Sequence, residues 1–129
     1  MKKILKFGVL GVAIFMLCSF SAYAGETATA YSTTVGRLNG SGYSDYQTKT
    51  ISGANGWIYS TVVGGKYEVD VRMISSQGNG TWLRDLNDGT SASLPGYYKQ
   101  VAGTKVRLQF SNDITTPVNV HVSGTWVSY

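Results

Sequence analysis

The stretch Trp57-Ile58-Tyr59-Ser60-Thr61-Val62-Val63-Gly64-Gly65-Lys66-Tyr67-Glu68-Val69-Asp70-Val71-Arg72-Met73-Ile74 decides how this chain is read. Two runs of β-branched and aromatic residues, each alternating with period two, flank a Gly-Gly pair. Alternation of that kind is strand chemistry, and Gly-Gly supplies the positive φ angles of a two-residue hairpin turn. Counting outward from the turn sets an expected register. Val62 faces Tyr67, Ser60 faces Val69 and Ile58 faces Val71 on the core side. Val63 and Lys66, Thr61 and Glu68, Tyr59 and Asp70, and Trp57 and Arg72 pair on the other side.

The same pattern extends in both directions. Downstream, Ser75 to Gly80 reads as a loop into a third strand, Thr81 to Leu86, completing a meander that ends in a sharp turn at Asn87-Asp88-Gly89. Alternation resumes at Lys105 to Phe110, with Val106, Leu108 and Phe110 inward. It recurs at Val118 to Val122, with Val118, Val120 and Val122 inward. Ser111 to Pro117 is the expected hairpin loop between them, and Gly124 marks a bulge before Trp126. Upstream, Ala28 to Val35 and Tyr46 to Ile51 are short strands separated by Asn39-Gly40-Ser41-Gly42, while Ser52 to Gly56 turns the chain again. The Gly-rich stretch 25–44 is expected to be loosely ordered in part, and 90–103 carries no assignable pattern. No window holds a helical apolar stripe for three turns. The expectation is therefore an all-β domain, an antiparallel two-sheet sandwich or small barrel of about six to eight strands.

Residues 1–24 read as a secretory signal peptide, to be removed as an N-terminal signal helix. Lys2, Lys3 and Lys6 precede an uncharged run from Phe7 to Phe20, and Ala22 and Ala24 are the small residues of a cleavage site after Ala24. The expected product is a single domain, 25–129, secreted to the extracellular side with no transmembrane anchor after processing. Cys18 lies inside the signal and is preceded by Phe15-Met16-Leu17, which lack the small residues of lipoprotein processing, so the mature chain has no disulfide. Without the signal, eight of the 11 Lys and Arg remain against 7 Asp and Glu, a net charge of about +1. That balance argues against nucleic acid as a partner.

No pattern of catalytic chemistry emerges, and the expectation is a protein that is not an enzyme and takes no cofactor or metal. His121 is the only histidine, on an outward strand position, with no G-x-S-x-G elbow elsewhere. Asp85-Leu86-Asn87-Asp88-Gly89 is one residue short of a calcium-loop spacing and has no closing Glu, so a turn explains it better. The aromatic residues carry more information. In a domain poor in Leu and Phe, Trp82 and Trp126 are expected as core. Trp57 and Tyr59 fall on the polar side of their hairpin, with Arg72 across from Trp57, an arrangement suited to a cation–π pair or a sugar-stacking platform. Tyr97 and Tyr98 form the second candidate binding patch. Exposed strand edges offer a route to self-association.

The layout as a whole is a Lys-Lys signal followed by a cysteine-free domain rich in Tyr, Gly and Thr. With stretches such as Gly42-Tyr43-Ser44-Asp45-Tyr46 and the ending Gly124-Thr125-Trp126-Val127-Ser128-Tyr129, it resembles small exported proteins of Gram-positive bacteria, among them the lactococcin-like bacteriocins. The resemblance is one of organisation. It implies a Sec-exported β-sandwich that acts on the bacterial cell envelope, with an envelope component or glycan as partner, and it carries over no functional residue. A carbohydrate- or cell-surface-binding matrix module is the alternative, and a secreted protease inhibitor presenting 90–103 is a further one.

Overall fold

The computed structural model describes residues 26–129; the expected signal peptide and its cleavage site at Ala22 and Ala24 lie outside them. The fold is all-β, two antiparallel sheets stacked as a sandwich and not closed into a barrel. In the four-stranded sheet the order is β1 (Thr29–Val35), β10 (Val120–Val127), β4 (Gly56–Val63), β8 (Ser91–Leu94). The six-stranded sheet runs β2 (Ser41–Tyr43), β9 (Lys105–Asn112), β5 (Val69–Ser75), β6 (Gly78–Asn79), with β3 (Gln47–Thr48) also on β9 and β7 (Leu83–Leu86) also on β5. Among the described residues no helix is long and apolar enough to cross a membrane.

Alternation places one face of each sheet inward. Val35, Ile58, Val120, Val122 and Trp126 from the first sheet meet Val69, Val71, Met73, Val106, Leu108 and Phe110 from the second. Each fully buried Val, Leu, Met or Phe among them contributes roughly 1.5–3 kcal/mol. Tyr31 of β1 crosses the interlayer space to Phe110 of β9, ring centroids 5.1 Å apart. As expected from its sequence, Trp126 is core, 1% exposed.

The hairpin expected at Gly64-Gly65 is a sheet-to-sheet crossover instead. β4 pairs with β10 and β8, whereas β5 pairs with β9, β7 and β6. A single 3-10 turn, Gly64–Lys66, joins them, with Gly65 at φ 64° and Lys66 at φ 60°. A corner between layers needs the same left-handed backbone that a tight hairpin does, so Gly-Gly serves either. The expected facing also shifts. Opposite Ser123 and Gly124 the register slips, leaving Thr61 as an extra residue on β4. Past that bulge Val63 turns inward and Val62 is 39% exposed, the reverse of the hairpin reading.

A second expected hairpin behaves alike. Residues 111–117 carry the chain from β9 in one sheet toward β10 in the other, and Val118 is 44% exposed rather than inward. This crossover is sewn to the loop after β1: Leu38 donates to the Thr116 carbonyl (2.8 Å), Asn39 to Asp113 (3.2 Å), and the Asn112 amide to Val35 and Gly36. Within the expected meander, the β5–β7 pairing is present while β4 lies in the other sheet. The stretch 25–44 contributes β1 and β2, with Tyr31 and Val35 buried.

At the opposite end, two buried polar side chains tie the layers together. The Gln47 amide donates to the Trp126 carbonyl (2.8 Å) and the Thr29 hydroxyl (2.7 Å), and its oxygen accepts from Ser128 N–H (2.8 Å). Lys49, 1% exposed, donates from Nζ to the carbonyls of Ser128 (2.7 Å) and Ala54 (2.8 Å). Neither carbonyl carries a full charge, so desolvation dominates and pushes the Lys49 ammonium down to about 8.

Candidate functional site

Because each sheet buries one face, the sandwich presents two broad outer faces, and the alternation of every strand decides what each displays. On the four-stranded sheet the outward positions are Ala30, Ser32 and Thr34 of β1, His121, Ser123, Thr125 and Val127 of β10, Trp57, Tyr59 and Val62 of β4, and Ser91 and Ser93 of β8. None of these is Lys, Arg, Asp or Glu. It is an uncharged surface, rich in hydroxyls with a few small apolar residues, and it carries one aromatic pair.

That pair is Trp57 and Tyr59, rings 6.1 Å apart and tilted by 59°. Trp57 stands between Ser93 and Val127 in the cross-strand register, and Val127 is only 3% exposed although it points to the outer face. The indole Nε1 is buried without a hydrogen-bond partner. Tyr59, flanked by Ser91 and Thr125, is 46% exposed. His121 sits on the same sheet with Nε2 3.3 Å from the Ser32 hydroxyl, and among the described residues no carboxylate joins them.

Arg72 is not across from Trp57. It belongs to β5, on the opposite side of the sandwich, because the crossover at Gly64–Lys66 separates the two strands that the hairpin reading had paired. Its guanidinium stacks on Trp82, 4.3 Å from the ring centroid, and its Nε donates to Gln109 Oε1 (2.9 Å) on β9. Trp82 is accordingly not core. It is half-buried between Arg72 and Arg84, the latter 5.7 Å from the centroid. Farther across the same face, Arg107 of β9 lies 4.3 Å from Tyr43 and 5.0 Å from Tyr46. Sequence reasoning missed the Tyr43, Tyr46, Trp82, Arg84 and Arg107 part of this surface. Arg107 does occupy an outward position in the Lys105 to Phe110 alternation, and that was the available signal.

One end of this face is acidic. Asp70, Asp85 and Asp113 bring carboxylate oxygens within 4.8 Å of one another, and Arg84 bonds Asp70 at 2.6 Å. Asp88, from the stretch compared with a calcium loop, is engaged elsewhere: its carboxylate accepts from Val63 N–H and anchors the crossover.

Tyr97 and Tyr98 form a separate pair, rings 5.0 Å apart, in the loop that follows β8. Tyr98 is 74% exposed, with Lys99 Nζ 5.8 Å from its ring, while Tyr97 packs over Gly78. The loop is pinned from beneath. Gln100, fully buried, donates to the carbonyls of Met73 (3.2 Å) and Gly78 (3.0 Å), and Ala102 donates to the Ser52 hydroxyl (2.9 Å). Among the described residues no ring contact joins this pair to Trp57 and Tyr59. A shallow concavity of about 290 Å³ beside the crossover is lined by Lys66, Tyr67, Glu68, Asn87 and Asp88. No protein-family model and no curated protein sequence matches the chain.

Proposed function

We propose that this is an exported, non-enzymatic binding protein that acts at the bacterial cell envelope in a bacteriocin-like manner, taking an envelope glycan on the outer face of the four-stranded sheet. The observation that carries the reading is the Trp57–Tyr59 pair on a hydroxyl-rich surface with no charged side chain. Sugars offer apolar C–H faces and many hydroxyls. Paired aromatic rings set among Ser and Thr match both features, and an uncharged surface desolvates at low cost. A strand-borne platform is also held in place before the ligand arrives, which lowers the ordering entropy of binding.

The test is sedimentation of the purified protein with isolated bacterial cell walls and its titration with soluble uncharged polysaccharides, alongside Trp57→Ala and Tyr59→Ala. Binding weakened about tenfold in each folded variant is the expected outcome. Exposure of a panel of bacterial strains to the same protein separates an effector, which kills a few related strains, from a matrix module of the producer's own surface, which kills none. Absence of binding to walls and to every polysaccharide, together with no killing, would sink the reading.

A further inference from the structure

The outer face of the six-stranded sheet has a chemistry of its own, independent of the platform on the other side. Arg72 and Arg107 occupy diagonal positions on adjacent strands, since Arg72 pairs with Gln109 and Ile74 with Arg107. Their backbones are thus roughly 7–8 Å apart. Each guanidinium is already immobilised against aromatic rings, Arg72 on Trp82 and Arg107 between Tyr43 and Tyr46. A chain of hydrogen bonds holds Arg72 further: its Nε donates to Gln109 Oε1, and Gln109 Nε2 lies 3.3 Å from the Ser41 hydroxyl. Yet neither arginine has a carboxylate. The one ion pair among the described residues is Arg84 with Asp70, and the buried Nε of Arg107 has no hydrogen-bond partner at all.

We infer that this face is a second binding site, for an acidic polysaccharide whose sugar carboxylates are taken by the guanidinium groups of Arg72 and Arg107. The planar guanidinium fork matches a carboxylate in a two-point geometry that a lysine cannot offer. Stacking has fixed both side chains beforehand, so little rotamer freedom remains to be lost on binding. Around them, Ser41 and the phenols of Tyr43 and Tyr46, 41% and 56% exposed, supply hydrogen-bonding groups for sugar hydroxyls. The Asp70, Asp85 and Asp113 end repels anions, which confines the ligand to the half of the face that holds Arg72 and Arg107. Single-stranded nucleic acid fits less well, because it binds by stacking bases on open rings, and here guanidinium groups lie against Trp82, Tyr43 and Tyr46.

The experiment is titration calorimetry of the purified protein with alginate, dextran and oligothymidylate, at low and at physiological salt. Alginate is expected to bind, more weakly as salt rises, and to bind at least about tenfold tighter than oligothymidylate and, in the Trp57→Ala variant that removes the platform on the other face, than dextran. Arg72→Gln and Arg107→Gln each weaken alginate binding about tenfold. Arg107→Lys, which keeps the charge and loses the fork, also weakens it. Near-ultraviolet circular dichroism confirms that each variant retains its packing, and Arg107→Lys keeps the test open if a glutamine variant fails to fold. The inference is overturned if alginate does not bind, if oligothymidylate binds the parent or dextran binds Trp57→Ala as tightly as alginate does, or if folded arginine variants bind alginate like the parent.

Discussion

Tyr31 stands directly opposite Gly124 in the β1–β10 register, and its phenol occupies the space that a side chain at Gly124 would need. A Cβ there would lie 2.7 Å from the Tyr31 hydroxyl and 2.0 Å from the Tyr59 carbonyl. The second of these is backbone of a central strand and cannot swing away. Gly124→Ala is therefore expected to destabilise the fold by about 2–3 kcal/mol, read as a lower denaturant midpoint with unchanged slope. A loss below about 0.5 kcal/mol would mean that β4 and β10 yield more easily than their register implies.

The buried lysine gives stability an alkaline dependence of known sign. Lys49 releases its proton near pH 8 when folded, against an ordinary lysine value of 10.5. Between those values the unfolded chain binds more protons, so stability rises with pH, by up to about 1.4 kcal/mol per unit. Tyr31 acts in the opposite sense at higher pH. Burial raises its hydroxyl to about 12 from 10.0, with a small offset from the Ser60 hydroxyl, so its contribution is lost as pH passes from about 10 to about 12. Chemical denaturation across this range should show stability climbing above pH 8 and falling again beyond about pH 10–11. Lys49→Met should abolish the climb and keep the fall.

At the crossover, Asp88 accepts the Val63 N–H and replaces a partner strand at the point where β4 leaves its sheet. Asp88→Ala leaves that donor without its acceptor and should cost about 1–2 kcal/mol, while Asp88→Asn, which retains a carbonyl acceptor, should cost less. Amide exchange of Val63 is the direct readout: faster in the alanine variant, little changed in the asparagine one.

Arg72 and Trp82 are predicted to be energetically coupled. A double-mutant cycle with Arg72→Ala and Trp82→Ala should return an interaction of about 0.5–1 kcal/mol, whereas Arg72→Ala and Trp57→Ala, on opposite faces, should be additive. Additivity for both cycles would show that the Arg72–Trp82 stack adds nothing measurable to stability.

Much of the architecture was legible because strand alternation is a local property. Val106, Leu108 and Phe110, or Val120 and Val122, declare their inward face through spacing alone, and the structure buries all five. Pairing partners are not local. Gly64-Gly65 announces a left-handed turn, but whether the chain folds back on itself or steps to the other layer depends on β10 and β9, strands more than 30 residues further along, which pair with β4 and β5 instead. The placement of Arg72 beside Trp57 failed for that reason. Similarly, Trp82 is drawn outward by Arg72 and Arg84 from two different strands, and nothing in its own neighbourhood announces the first of them. The Trp57–Tyr59 pair survived because both residues lie on one strand before the Thr61 bulge, where a two-residue spacing alone puts them on the same face.

The position of β10 has a kinetic consequence. It lies between β1 and β4 as one of the two central strands of that sheet, although it comes last in chain order among the described strands. Neither β1 nor β4 can complete its hydrogen bonding earlier, and no strand of this sheet pairs with its neighbour in the chain, whereas β5 forms local pairings with β6 and β7 in the other sheet. Contacts this distant along the chain make for a slow, concerted search. Until β10 arrives, β1 has no partner strand in its sheet and β4 has only the short β8, so closure of this layer waits on the strand farthest along the chain among those described.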